Sequence, residues 1–150
     1  MSGATQLAQR SGWWTEIASG NPSRQAFHLL HWGFTAAPLI AGGDKFVGLL
    51  AHWEQYLSPA VASLSPLSPH GTMLAVGGIE LFAAALVAFR PRLGAYVVAA
   101  WLLGIIANLL LLGAYFDVAL RDFGLLLAAL ALGRLSMLHA ADADLRQRPR

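Results

Sequence analysis

The sequence predicts an all-α integral membrane bundle of four helices, and three observations predict it. Of its 150 residues 57% are hydrophobic and only 12% are charged, against roughly 25% charged in an ordinary soluble domain. The charges are gathered at the ends of long apolar windows, and those windows are rich in Leu and Ala without period-two alternation, which disfavours strands. So few charges cannot coat a soluble globule of this size. Such an apolar chain is not disordered either, because disordered chains are poor in apolar residues.

The windows come in order along the chain. Gln25 to Gly43 is bounded by Arg24 and Asp44. Gly71 to Phe89 is interrupted only by Glu80, and Leu93 to Phe116 lies between Arg92 and Asp117. Phe123 to Gly133 is short by itself and extends by taking in Arg121, Asp122 and Arg134. Crossing the hydrocarbon layer takes about 20 helical residues. Spans are therefore expected near 25–43, 71–89, 93–115 and 119–138, with an N-terminal segment 1–24 and a tail 139–150. Pro38 is expected to kink the first span. Small residues spaced by four, Gly33/Ala37/Ala41, Ala100/Gly104 and Gly124/Ala128, offer stripes along which helix backbones can approach.

Arginine placement sets the expected topology. With the N-terminus, the loop between spans two and three, and the C-terminus on one side, that side collects eight of the ten basic residues, leaving Lys45 and Arg121 opposite. The positive-inside rule then puts both termini in the cytoplasm. The first 24 residues lack the apolar core of a cleaved signal peptide, and Trp13 and Trp14 suit either the cytoplasmic interface or ordinary surface packing. A net charge of +2 with arginines at segment ends fits membrane topology rather than phosphate binding, so no nucleic-acid partner is expected.

Between spans one and two lies Asp44 to His70. Phe46, Leu49, Leu50, Trp53 and Leu57 fall on one helical face, the pattern of an amphipathic helix in the outer interface. Pro59, Pro66 and Pro69 are expected to end it and make an extended return. This segment reads equally as a covering loop and as a lid over a site.

Ionisable residues at membrane depth are costly and usually face the bundle interior. Glu80 lies mid-span, and a 1.5 Å rise per residue puts it roughly 14 Å from the outer face and Asn108 roughly 10 Å, so the two are expected within reach of each other. Asp44, Lys45, Asp117, Arg121 and Asp122 gather near the outer helix ends, Asp117 and Arg121 as an i,i+4 pair and Asp122 free to meet Lys45 or another helix. They compose either a polar cavity for a ligand or proton path, with Glu80 at its floor, or structural ion pairs that fix helix register. Trp53, Tyr56 and Trp101 supply aromatic surface beside it.

Cofactor signals are sparse. The chain has no cysteine, so thiol–disulfide relays and Cys-ligated iron–sulfur or zinc sites are not its own. No zinc motif, phosphate loop or nucleophile elbow occurs. His28 and His31 are i,i+3 on one helix and cannot ligate opposite sides of one haem iron. No metal site and no intrinsic cofactor are expected.

Four segments in one order carry a family resemblance over roughly residues 25–138. Gly43-Asp44-Lys45-Phe46 runs into HWEQYLSP, His52 to Pro59. GGIE ends at Glu80, and RPRLGAYVVAAWLLGIIANLLL starts at Arg90. DVALRDFGLLLAALAL spans Asp117 to Leu132. In these the chain resembles the DoxX family of small bacterial four-helix inner-membrane proteins. The resemblance implies Asp44, Lys45, Trp53, Glu54, Tyr56, Glu80, Trp101, Asn108, Asp117, Arg121 and Asp122 as family-pattern positions. Some members look like subunits of a thiosulfate:quinone oxidoreductase, others like parts of oxidative-stress complexes with thiol enzymes and superoxide dismutase. It thus implies an accessory or subunit of a quinone-linked complex, with a redox partner protein and a quinone as ligand. Glu80 would then exchange protons, Asn108 would orient it, and Arg121 would hold a carbonyl or an anion. The competing reading is a non-enzymatic scaffold, or a homo-oligomer holding a small solute or lipid head.

Overall fold

The computed structural model describes residues 21–147, with side chains through His139; the expectations for Trp13, Trp14 and the leading segment lie outside the described residues. Five α-helices follow in order: α1 (Pro22–Val47), α2 (Pro59–Leu64), α3 (Pro69–Phe89), α4 (Pro91–Leu112) and α5 (Phe116–Gln147), with a 3₁₀ turn at Trp53–Tyr56. The four long helices match the four expected spans. α5 runs on through the expected tail to Gln147.

Helix starts are written in short polar-proline pairs. Asn21, Ser58 and Ser68 each accept a backbone N–H with the side chain, from Ser23, Val61 and Gly71, and each is followed by a proline. A side-chain oxygen at the cap serves an orphan donor, while proline at the first helical position needs none. Pro59 and Pro69 therefore open helices, which corrects the expected extended return. α1 ends at Gly48, whose φ of 70° is the left-handed cap and whose N–H donates to the Asp44 carbonyl. That cap also overturns the amphipathic helix through Phe46 and Leu57. Phe46 belongs to α1, a bend follows, and only Trp53–Tyr56 regains a helical turn. Pro38 stays inside a continuous α1.

α1 packs on α3, α3 on α4, α4 on α5, and α5 back on α1, a closed up-and-down bundle. Phe27 near the start of α1 stacks on His139 in the latter part of α5, centroids 4.9 Å apart, so these two segments share one end of the bundle. The apolar core lies toward that end and is built from small residues: Ala83 and Val87 of α3, Ala95 and Ala99 of α4, Ala129 and Leu132 of α5, with Phe34 of α1. Gly94 lets α4 turn hard against α3 after the single linking residue Arg90; a Cβ there would stand 2.5 Å from Val87 Cα.

The predicted small-residue stripes are only partly where the helices meet: Ala128 packs against the core, but the glycines of the stripes do not. A Cβ on Gly33, Gly104 or Gly124 would meet nothing within 4 Å. The close crossing instead joins α1 to α3, where a Cβ on Gly42 would lie 2.9 Å from the Gly77 carbonyl and one on Gly77 2.8 Å from that of Gly42. Four-residue spacing marks a face but not which face has a neighbour.

α3 and α4 are long and apolar enough to cross a membrane, with hydropathies of 2.0 and 2.3. α1 and α5 are long enough, but carry ionisable side chains along their length, and composition does not single them out. Large apolar side chains cover the outside of the bundle, among them Phe89 at 85% exposure, Leu29 at 76% and Leu120 at 72%.

Candidate functional site

Asp44 and Lys45 are neighbours in the last turns of α1, both buried, and they do different work. The Asp44 carboxylate accepts the backbone N–H groups of Leu49 and Leu50 and the indole N–H of Trp53, the last at 2.7 Å. It thereby folds the chain after Gly48 back over the bundle. Lys45 turns inward. Its Nζ donates to Glu80 Oε2 at 2.6 Å, with the two side chains 3% and 10% exposed, and it lies 3.6 Å from the centre of the Trp53 ring. Two buried charges are tolerable when each supplies the other's counter-charge, and an aromatic face adds further attraction for the ammonium. The Gly42–Gly77 crossing, close by on the same two helices, brings the partners into range.

Asn108 fixes the other side of the same loop. Its Nδ2 donates to the Tyr56 carbonyl at 2.6 Å, and its Oδ1 accepts the Ser58 N–H at 3.0 Å. Both bonds go to loop backbone and none to Glu80, which corrects the expectation that Asn108 orients Glu80. Tyr56 packs on Tyr115 at 4.8 Å, and the Tyr115 hydroxyl donates to Gln55. Tyr115 takes a φ of 58°, a left-handed conformation unusual for a bulky residue, in the short connection that turns α4 into α5. At the surface His70 and Glu54 meet at 2.9 Å. The hydrogen bond with His70 is the main reason the Glu54 carboxyl lies below its ordinary range, and backbone hydrogen bonding adds to it.

Under this roof is a cavity of about 600 Å³, within the range of small-molecule sites. Lys45, Glu80, Asn108, Arg121 and Asp122 reach its wall, and so do Trp53, Tyr56 and Trp101. The remaining lining is mainly apolar, with Met73, Val76, Ile105 and Leu125 among it. Eight of the ten residues singled out from sequence thus line one cavity. Asp44 stands behind the wall and shapes the loop. Asp117 lies outside it, exposed in the first turn of α5, where a carboxylate complements the helix dipole.

Among the described residues the i,i+4 spacing of Asp117 and Arg121 on α5 forms no ion pair. Of the two partners open to Asp122, Lys45 or another helix, Lys45 is taken by Glu80. Helical spacing permits an i,i+4 contact but does not compel it when one member turns toward a cavity. Trp101 carries the one buried side-chain nitrogen or oxygen among the described residues that has no hydrogen-bond partner, its indole Nε1.

Sequence reasoning missed Ser58, fully buried and holding both the Asn108 bond and the cap of α2. The Ser58-Pro59 pair was the available signal. It also missed Gly42 and Gly77, which nothing distinguishes from other glycines in one dimension. At the opposite end His31 bonds the Val87 carbonyl at 3.0 Å and stacks with Phe27. Among the described residues no group of three His, Cys, Asp or Glu is placed to hold a metal ion. Comparison with protein-family models, with curated proteins and with solved structures finds no match to this chain.

Proposed function

We propose that this chain is a DoxX-like inner-membrane protein of four spanning helices, with both termini in the cytoplasm, serving as a membrane subunit or accessory of a quinone-linked redox or oxidative-stress complex. The apolar exterior supports the membrane setting, because side chains such as Phe89 and Leu29 need a nonaqueous surrounding. The observation that carries the functional reading is the roofed cavity. It offers aromatic planes, a mainly apolar wall and a few convergent polar groups, the combination that suits a small ring with polar edges. Lacking cysteine, the chain leaves any sulfur chemistry to a partner.

A second reading has a specific observation behind it. Lys45 neutralises Glu80 directly, so the carboxylate best placed for proton exchange is already committed to an ion pair. That favours a non-enzymatic bundle holding a lipid or small solute in the same cavity, alone or as a homo-oligomer.

Gentle-detergent purification of the full chain, followed by mass spectrometry of bound small molecules and co-purifying proteins, separates the two. A quinone together with a redox enzyme is the expected result. A lipid or other solute with no redox partner supports the second reading, and neither ligand nor partner sinks the first.

A further inference from the structure

We propose that the Trp101 indole N–H is the donor that recognises an acceptor oxygen on the cavity's ligand, and that this ligand is a neutral, ring-shaped carbonyl compound. The inference rests on the quinone reading and adds the residue that selects for the carbonyl.

Charge is the first ground. Two bases and two acids reach the cavity wall, Lys45 and Arg121 against Glu80 and Asp122. The wall has no formal excess of either sign with which to hold an anion or a cation. An uncharged ligand matches it.

Unsatisfied bonding is the second. A buried donor without a partner is costly, and native structures leave few. Three other donors around the cavity have a use inside the chain, while Arg121 and the Tyr56 hydroxyl hold no hydrogen bond among the described residues but are open to water. Asn108 serves the loop, Lys45 serves Glu80, and the Trp53 indole serves Asp44. Only Trp101, on the cavity wall, keeps its N–H unpaired and shielded from water. A site built to bond an oxygen discriminates against analogues lacking it, because the donor is then left unpaired. Trp101 forms part of the cavity wall, so a ligand seated there lies beside the indole.

The test uses the full chain in lipid nanodiscs with two probes of matched shape, menadione and 2-methylnaphthalene, which differ by the two carbonyl oxygens. With no cysteine present, menadione cannot arylate a thiol of this chain. Trp101→Phe keeps an aromatic ring and removes the N–H. The expected result is that the wild type prefers menadione and that Trp101→Phe weakens menadione binding about five- to ten-fold, the worth of one hydrogen bond, leaving 2-methylnaphthalene unchanged. In the wild-type ¹H–¹⁵N spectrum the unbonded, upfield indole resonance should move downfield on adding menadione, a readout that does not depend on the variant folding. Tight menadione binding with no change in Trp101→Phe, or with no indole resonance moving, overturns this assignment while the quinone reading stands. No menadione binding by the wild type ends both.

Discussion

The two ends of the bundle are held together by opposite means. At the end where Phe27 meets His139, Gly94 lies close against the Val87 backbone and Ala83, Ala95 and Ala129 are buried in an apolar core that packing holds together. Toward the loop side α1 and α3 cross closely at Gly42 and Gly77, and beside that crossing the bundle opens into a cavity. There the helices are tied by polar contacts: Lys45 to Glu80, Asn108 to the loop backbone, and Asp44 to three N–H groups. One end fixes the fold; the other can be shaped for a ligand because its cohesion does not depend on filling its centre.

Disrupting the rigid end should have the largest effect. Gly94→Val places two methyls into the Val87 backbone, already 2.5 Å from a Cβ, and should cost more than about 3 kcal/mol, seen as loss of the folded species in a denaturant titration in micelles. Gly33→Ala, into open space, should stay within about 0.5 kcal/mol. Equal effects from the two would show that the small-residue corner is not what holds this end.

The next largest effect belongs to the polar end. Glu80→Leu strands a buried ammonium and should cost about 3–5 kcal/mol, whereas Lys45→Met with Glu80→Leu should recover most of that. Unfolding of the single and double variants in the same micelles measures it, and a double variant as weak as the single one would refute a mutual pair. Asn108→Leu should cost about 1–3 kcal/mol. Hydrogen exchange should be faster at Ser58, while the α3–α4 corner keeps its protection. If both regions loosen alike, the roof and the core are one cooperative unit.

The smallest effect is a pH dependence confined to the roof. The Glu54 carboxyl lies lower in the folded chain than its ordinary value of about 4.3. Its contribution is therefore present above that value and is lost as pH falls through the lowered folded value. Exchange of loop amides should quicken in that acidic window, and Glu54→Gln should remove the change. The pair is exposed, so the effect should also shrink in high salt.

Much of the bundle was legible in one dimension. Long apolar windows predicted four helices in the right order and near their observed starts, because length and hydropathy are local properties, though the last helix runs on to Gln147. Most of the site was legible as well, since ionisable and aromatic residues stand out against an apolar background. What misled was periodicity used without partners. Gly33/Ala37/Ala41 looked like a contact stripe, and Phe46 to Leu57 looked like one amphipathic face. The first has no neighbour at Gly33, and the second is broken at Gly48 by a cap whose carboxylate partner, Asp44, gains three donors in return.

By itself, then, the sequence determined the helical class, the number and order of the long helices, and which residues could be polar at depth. Only the tertiary structure decided that Lys45 meets Glu80, that Asn108 serves the loop, and that Trp101 is left with a free N–H. The reason is physical. Helix formation answers to neighbours a few residues away, but the partner of a buried charge or amide is whichever group a crossing of two helices brings within 3 Å. Here Gly42 and Gly77 set that crossing, 35 residues apart in the chain.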